Sequence, residues 1–185
     1  MNPTFDVAVL VGSLRAASIN RQVALALAAL APPTLRLRLV EIGELPLYRE
    51  EFDAATPDSY TTFRDSVRAA DAVLFVTPEY NRSVPGGLKN ALDVGSRPYG
   101  HSVWGGKPGA VMSVSPGAIG GFGANHHLRQ SLVFLDVACM QQPEAYVGHA
   151  GTLFGADGQL AEASRPYLQK FIDAFGRWVS QQLKA

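Results

Sequence analysis

The sequence predicts an α/β protein in which a parallel sheet is covered by helices on both faces. Apolar runs of strand length alternate with helix-like segments along the whole chain, and each pair has the size of one βα unit. Successive units of this kind wind a sheet through right-handed crossovers. With 185 residues, of which 47% are hydrophobic and 17% charged, the chain is expected to form one domain over 1–185 with a substantial core.

Each element is predicted from a local pattern. The predicted strands are the apolar runs 6–11, 35–41, 72–77, 109–114 and 143–148. The predicted helices are 19–30, 58–70, 86–96, 124–135 and 163–183. The second helix follows Pro57-Asp58, a typical helix start, and the last carries Phe171, Phe175 and Val179 on one face. Segments 43–57 and 148–160 are expected to be longer loops.

The loop after the first strand indicates a site for a small phosphate group. The strand stops at Gly12, and the loop then supplies Ser13, Arg15, Ser18 and Asn20 before an Ala/Leu-rich helix. Unpaired N–H groups and the dipole at a helix start favour an anion, and these side chains add donors. The Lys-Ser/Thr of a P-loop and the three glycines of a dinucleotide fingerprint are absent, so a terminal monophosphate is expected. A plain strand–helix turn with a polar N-cap is the alternative.

Two more loops are predicted at the same edge of the sheet. Pro78-Glu79-Tyr80-Asn81 follows the third strand, and a glycine-rich segment over 115–123 follows the fourth. Ligands of such sheets bind outside the carboxyl ends of the strands, where the strand order reverses. The first of these loops suits a flat heterocycle, and backbone donors in the second would stabilise negative charge on a ligand ring. Taken singly, each is also compatible with an ordinary connection.

Composition argues against several classes of partner and site. Sixteen basic and sixteen acidic residues balance, which gives no reason to expect nucleic acid or a membrane surface as a partner and permits self-association. No apolar run is long enough for a signal peptide or a membrane span, so a cytoplasmic protein is expected. Cys139 is interpreted as a buried structural thiol, and the adjacent His126 and His127 as helix-surface residues. No metal site and no Ser–His–Asp arrangement is predicted.

Three motifs closely resemble the NAD(P)H-dependent FMN reductase family. They are Gly-Ser-Leu-Arg-x-x-Ser-x-Asn at 12–20, Thr-Pro-Glu-Tyr-Asn at 77–81 and Ser-Val-Pro-Gly-Gly-Leu-Lys-Asn-Ala at 83–91. Within the family, the chain looks most like the chromate and quinone reductases. His127-Leu-Arg-Gln130 and Pro143-Glu144 support that second comparison.

The resemblance implies a flavodoxin-like three-layer sandwich whose five-stranded parallel sheet has the order 2-1-3-4-5, with FMN where the order reverses. It implies that the FMN phosphate is held by the loop after the first strand, the isoalloxazine is bordered mostly by backbone groups of the second loop, and its pyrimidine side is approached by the third loop. The cofactor-binding residues on these three loops are then Gly12, Ser13, Arg15, Ser18 and Asn20; Pro78, Glu79, Tyr80 and Asn81; and Ser115 and Gly117. Family members usually form dimers and often tetramers.

The activity implied by the resemblance is an FMN-dependent NAD(P)H oxidoreductase. NADPH or NADH would pass hydride to N5 of the flavin, and a quinone, flavin, azo or chromate-type acceptor would then react in the same pocket by a ping-pong mechanism. Hydride transfer between stacked rings requires no side-chain acid or base, so no catalytic residue is predicted. A flavodoxin-type electron carrier is the alternative, although such carriers are typically acidic and this chain is neutral. A flavin-free sensor with the same fold is a third reading.

Overall fold

The structure is a computed structural model that describes residues 3–183. Its strands are β1 (Phe5–Val11), β2 (Leu35–Val40), β3 (Ala72–Thr77), β4 (Pro108–Val114), β5 (Ala138–Cys139) and β6 (Ala145–Val147). Its α-helices are α1 (Ile19–Leu30), α2 (Glu51–Ala54), α3 (Asp58–Arg68), α4 (Gly86–Gly95), α5 (Phe122–Phe134) and α6 (Arg165–Gln182). Among the described helices, none combines the length and apolar character that crossing a bilayer requires.

The sheet is parallel and has the order β2-β1-β3-β4-β5, which confirms the predicted topology. In its centre, Val9 of β1 lies opposite Leu39 of β2 and Leu74 of β3. Buried strands of this kind are expected to be apolar on both faces, and every residue of β3 and β4 is buried. The strand order reverses between β1 and β3, where α/β sheets of this type bind their ligands.

The fifth position of the sheet differs from the prediction of one strand over 143–148. It is filled by two short strands: β5 pairs with Pro108 and Gly109 of β4, and β6 pairs with 112–114. The connection between them contains Pro143, which has no N–H to donate to a strand ladder. The edge of the sheet is therefore interrupted, while the carboxyl end of β6 still lies beside that of β4.

Successive residues of each strand point alternately into two hydrophobic cores, one on each face of the sheet. Val7 and Val9 of β1 pack on one face with α1 and α6, whereas Ala8 and Leu10 pack on the other face with α3, α4 and α5. This alternation follows from the two-residue period of a strand. Trp104, which follows α4, is completely buried in the second core, and its indole N–H donates to the Leu92 carbonyl at 3.0 Å.

The segment 43–57, expected to be a loop, contains the one-turn helix α2. Tertiary contacts hold it: the Arg97 guanidinium contacts the Asp53 carboxylate at 2.7 Å, and the Tyr48 hydroxyl donates to the same carboxylate at 3.2 Å. The Asn90 side chain of α4 accepts from the Tyr48 N–H at 2.8 Å and donates to the Pro46 carbonyl at 2.9 Å. A helix of this length has little intrinsic stability, so local sequence carries no signal for it.

Cys139 is half-buried in β5 rather than fully buried as predicted. Its sulfur lies 3.4 Å from Nη1 of Arg129, which also donates to the Met140 carbonyl. Burial raises the pKa of the thiol, and the Arg129 charge offsets part of this rise. Because the thiolate is the reactive form, this environment makes Cys139 a poor nucleophile, in keeping with a structural role.

Candidate functional site

The loops after β1, β3 and β4 meet at the carboxyl edge of the sheet around a cleft of about 340 Å³. This is the edge at which the sequence predicted a ligand. The predicted site residues that line the cleft come from all three loops and are Ser13, Arg15, Asn20, Pro78, Glu79, Tyr80 and Ser115. Four other predicted residues, Gly12, Ser18, Asn81 and Gly117, belong to the same loops but do not line it.

Gly12 allows the first and second loops to approach closely. Its N–H donates to the Val76 carbonyl at 2.9 Å. A Cβ at this position would lie 2.9 Å from Oγ1 of Thr77 and 3.1 Å from Cδ of Pro78, closer than ordinary contact. Gly12 is therefore required by the packing of the two loops rather than by direct contact with the cleft.

Ser18 and Asn20 lie at the start of α1, and their side chains differ in their hydrogen-bond partners. Ser18 is the N-cap, and its Oγ accepts from the Arg21 N–H at 3.2 Å. Asn20 is only 6% exposed, and its Nδ2 donates to the Val114 carbonyl at 3.4 Å. Its Oδ1 is buried and has no hydrogen-bond partner within residues 3–183. Because an unsatisfied buried acceptor is costly, Asn20 is suited to a ligand that carries a hydrogen-bond donor.

Arg15 supplies a positive charge to the cleft. Its side chain is exposed and makes no hydrogen bond or ion pair within residues 3–183. Glu79, the one carboxylate in the described wall of this cleft, accepts a hydrogen bond from the first turn of α5. A guanidinium that is not already paired with a carboxylate is available for a phosphate, which it recognises with two parallel N–H groups.

The loop after β3 is a tight turn. Tyr80 and Ser83 exchange two backbone hydrogen bonds of 3.1 and 3.0 Å. Asn81 and Arg82 between them adopt left-handed conformations with φ of 51° and 63°. The turn leaves the Tyr80 side chain exposed at the cleft and directs Asn81 away from its lining. The loop expected to suit a flat heterocycle therefore forms a hydrogen-bonded turn that presents Tyr80 as its aromatic surface.

The Glu79 carboxylate belongs structurally to α5. Oε2 of Glu79 accepts from the Ala124 N–H at 3.1 Å, and Oε1 lies 3.3 Å from Nη1 of Arg82. The N-cap residue of α5 is Gly121, which has no side chain to cap the helix. A carboxylate at this end satisfies a first-turn N–H and interacts favourably with the helix dipole. The Glu79 side chain therefore connects the loop after β3 to α5, the helix that follows the loop after β4.

We expect Glu79→Gln to lower the free energy of unfolding by about 0.3–1 kcal/mol, the range for a charge at a helix N-terminus. The glutamine keeps the size and the acceptor but removes the charge. Urea unfolding followed by circular dichroism measures the change. Arg82→Gln is the control, since its exposed ion pair with Glu79 is expected to contribute less than about 0.5 kcal/mol. Equal losses in the two variants would contradict the role in capping α5.

The loop after β4 is held by the segment that follows β6. The Ser115 N–H donates to the Val147 carbonyl at 2.9 Å, and the Ala150 N–H donates to the Ser115 carbonyl at 3.1 Å. The Gly117 N–H donates to Oγ of Ser115 at 3.2 Å. The N–H groups of Ser115 and Gly117, two of the backbone donors in the loop expected beside a ligand ring, are therefore engaged within the protein. A Cβ on Gly148 would lie 2.5 Å from the Ala118 carbonyl oxygen, so this contact also requires glycine.

Sequence reasoning missed four residues of the cleft wall. They are Ile19, Val114, Pro116 and Ala150. Three of them are immediate neighbours of predicted residues and have no polar group to signal a site. Ala150 comes from 148–160, which was expected only to be a loop. The hydrogen bond between Ala150 and Ser115 brings this segment to the cleft, and local sequence does not encode that contact.

FMN, the ligand implied by the resemblance, fits the chemistry of the side chains present. Arg15 and Ser13 offer a charge and a hydroxyl to a phosphate group. The buried Oδ1 of Asn20 accepts from a donor, and the ribityl chain of FMN carries several hydroxyl groups. Pro78 and Val114 add apolar surface, which a flat ring system requires.

The histidines give no sign of a metal site. Within residues 3–183, no group of three or more His, Cys, Asp or Glu side chains is placed to hold a metal ion. His126 and His127 are exposed on α5, as predicted. Nε2 of His126 lies 2.9 Å from the Tyr146 hydroxyl, and Nδ1 of His127 lies 3.0 Å from Oγ of Ser83. Each ring therefore has a protein partner for one nitrogen.

Comparison with known proteins places the chain among flavin-dependent reductases. The model of a family described as NADPH-dependent FMN reductase matches residues 5–152. A quinone reductase of Pseudomonas putida is 64% identical over 180 residues, which cover 97% of each chain. A 2-hydroxy-1,4-benzoquinone reductase of a Burkholderia species is 50% identical over 94% of this chain and 95% of its own length.

A solved structure agrees with the sequence matches. FerB, a flavoenzyme NAD(P)H:(acceptor) oxidoreductase from Paracoccus denitrificans, superimposes with a TM-score of 0.91 at 42% identity. The alignment covers 97% of this chain and 99% of FerB. The similarity thus extends over nearly the whole chain, including the three loops around the cleft and the sheet that carries them.

Proposed function

The chain belongs to the family of NADPH-dependent FMN reductases, and we therefore propose that the cleft between the loops after β1, β3 and β4 holds FMN and receives the nicotinamide nucleotide and a quinone in turn. The chain is an oxidoreductase that uses FMN and NAD(P)H, of the quinone reductase type. The observation that supports the proposed site is the convergence of predicted residues from three separate loops on one cleft. When bound there, FMN supplies the group that accepts hydride and passes two electrons to an acceptor.

The residues of the cleft bind the cofactor and orient it. Arg15 and Ser13 hold the phosphate group, and Oδ1 of Asn20 accepts from a hydroxyl of the cofactor's chain. The hydrogen-bonded turn at 78–81 and the clamped loop at 115–117 would border the ring system of the cofactor. No side chain is assigned the transfer of a proton, because the described wall carries no carboxylate other than Glu79, which caps α5. Rigid walls of this kind reduce the cost of ordering a reactive complex.

A small-molecule acceptor is reduced, and we propose a quinone because flat rings suit an open, partly apolar cleft. Free flavins, azo compounds and chromate are further acceptors that an exposed flavin edge would reduce. One cleft that serves donor and acceptor in turn requires the oxidised nucleotide to leave before the acceptor enters. The mechanism is therefore ping-pong.

The test is steady-state kinetics on the purified, flavin-loaded protein. Double-reciprocal plots at several benzoquinone concentrations are expected to be parallel, and intersecting lines would contradict the shared cleft. A yellow protein that does not oxidise NADH or NADPH would favour the electron carrier. A colourless protein that does not bind FMN would favour the flavin-free reading and reject the proposal.

We also propose that the chain self-associates. α5 exposes Phe122, Val133 and Phe134 on the surface, and apolar side chains this exposed favour contact with another protein surface. Sedimentation velocity over a range of concentrations measures the assembly. A monomer at every concentration tested would reject this part of the proposal.

A further inference from the structure

A second cavity, of about 390 Å³, lies on the other side of the loop after β1. It is bounded by that loop and by the residues that follow β2, and it shares Ser13 and Arg15 with the first cleft. The two cavities therefore meet at the residues assigned to a phosphate. None of the residues at 78–80 or 115 that border the first cleft lines the second. A group bound in the second cavity would thus lie next to the phosphate end of the first cleft.

The wall of this cavity is apolar on one side. Leu14 is 56% exposed although it is a large aliphatic side chain, and Ile42 lies beneath the same cavity. Gly43 has no side chain to cover Leu14, and a Cβ there would lie 3.6 Å from a Leu14 methyl group. Exposed aliphatic surface next to a backbone without a side chain can accept a flat aromatic ring.

The other side of the cavity carries an ion pair. Arg21 of α1 donates to both carboxylate oxygens of Glu41, at 2.6 and 3.1 Å. The hydrogen bond from Arg21 lowers the pKa of Glu41, although partial burial opposes this, so the carboxylate is ionised at neutral pH. Arg15 and Glu44 also line the cavity, so its wall carries two guanidinium groups and two carboxylates. The lining charges therefore cancel, and no large positive potential favours an additional phosphate.

We propose that this cavity binds the adenosine part of an adenylate, with the adenine against Leu14 and the ribose 2′-hydroxyl donating to Glu41. The position of Glu41 supports this assignment. This chain lacks the three-glycine fingerprint of dinucleotide-binding βαβ units but shares with them an acidic residue at the end of the second strand, which in those units hydrogen-bonds the ribose 2′-hydroxyl. Glu41 comes directly after β2 and faces the loop after β1.

One ligand of the proposed function, the nicotinamide nucleotide, carries an adenylate, and a flavin adenine dinucleotide bound in place of FMN would carry one as well. The inference rests on the proposed function, because it adds a subsite to the same loop. It also predicts a preference. A 2′-phosphate would face the Glu41 carboxylate, and Glu41 already occupies Arg21, so NADH is bound in preference to NADPH.

The test is calorimetric titration of 5′-AMP and of adenosine 2′,5′-bisphosphate into the FMN-loaded protein. AMP is expected to bind more tightly than the bisphosphate. Glu41→Gln is expected to lower the affinity for AMP about tenfold, as for the loss of one charge-assisted hydrogen bond. The same variant is expected to raise the affinity for the bisphosphate, because Arg21 is then free to bind the 2′-phosphate. The ratio of kcat/KM for NADPH to that for NADH is expected to rise by about the same factor.

Asp6→Asn is a matched control. Asp6 of β1 pairs with Arg36 of β2 near the amino-terminal ends of these strands, outside the cavity, so this variant breaks a different arginine–carboxylate pair. It is expected to leave AMP binding unchanged. Glu41 is exposed and Asp6 is half-buried, and both variants are expected to fold, which urea unfolding checks.

Inhibition kinetics distinguish the two ligands that could place an adenylate in the cavity, the nicotinamide nucleotide and flavin adenine dinucleotide. AMP that competes with NADH assigns the cavity to the nicotinamide nucleotide. AMP that does not inhibit NADH oxidation but competes with flavin adenine dinucleotide added to the flavin-free protein assigns the cavity to the flavin. Absence of AMP binding at millimolar concentration, or equal binding in wild type and Glu41→Gln, overturns the inference. If NADH is still oxidised in that case, the proposed function survives and only the adenylate subsite is rejected.

Discussion

Replacing Arg15 with alanine is expected to weaken FMN binding by about 10- to 100-fold. A hydrogen bond to a charged group contributes about 1.5–3 kcal/mol, and 1.4 kcal/mol corresponds to a factor of ten. Arg15 is exposed and has no partner within residues 3–183, so its removal leaves no buried group unsatisfied. The free energy of unfolding of the flavin-free protein is therefore expected to change by less than about 0.5 kcal/mol. Quenching of FMN fluorescence measures the affinity.

Arg177→Ala is the matched control for this result. Arg177 is an exposed arginine of α6 beside Pro32 and Thr34, at the amino-terminal edge of the sheet. Removing it changes the net charge by the same amount as Arg15→Ala but leaves the cleft intact. Its FMN affinity is expected to equal that of the wild type. If Arg15→Ala and Arg177→Ala bind FMN equally well, Arg15 does not hold the phosphate.

Replacing Trp104 with alanine is expected to lower the free energy of unfolding by about 3–5 kcal/mol, the usual cost of deleting a buried aromatic side chain. The Trp104 ring is 0% exposed and lies 5.9 Å from the ring of Phe75 and 6.1 Å from that of Phe63. Gly95 packs against it so closely that a Cβ would lie 2.6 Å from the indole. The deletion also leaves the Leu92 carbonyl without its indole donor. Urea unfolding of the flavin-free protein measures the loss.

Two variants define what Trp104 contributes. Trp104→Phe keeps an aromatic ring and is expected to lose less stability than the alanine variant. Tyr99→Ala removes a largely exposed aromatic residue nearby and is expected to change stability by less than about 0.5 kcal/mol. A loss below about 1 kcal/mol in Trp104→Ala would show that the second core repacks around the cavity. That outcome would contradict the close packing of the second core around Trp104.

The strands and helices were predictable because their signals are local. The apolar run 72–77 is β3, and the Ala/Leu-rich segment 19–30 is α1, each with the predicted bounds. The period of apolar residues selects helix or strand, and Pro and Gly mark the ends. The strand order came from the resemblance carried by three motifs, and the structure confirms it. These same motifs predicted which three loops meet at the carboxyl edge of the sheet.

Contacts between distant residues could not be read from the sequence. The Glu79 side chain caps α5 across 45 positions of sequence, and Asn90 holds the α2 segment across more than 40. Ala150 joins the cleft through its hydrogen bond to Ser115, and the same clamp engages backbone donors that were assigned to a ligand. Each of these contacts satisfies a polar group that is available only after the chain has folded.

Local pattern was therefore enough to establish the α/β class, the approximate positions of the first four strands and of five helices, and the three loops, because hydrophobic period and turn residues act over a few positions. Tertiary structure alone decided which side chains face the cleft, where the fifth strand divides, and that a second cavity adjoins the phosphate loop. A side chain's direction depends on which neighbour satisfies its polar atoms or fills the space beside it. That neighbour is commonly tens of residues away in the chain.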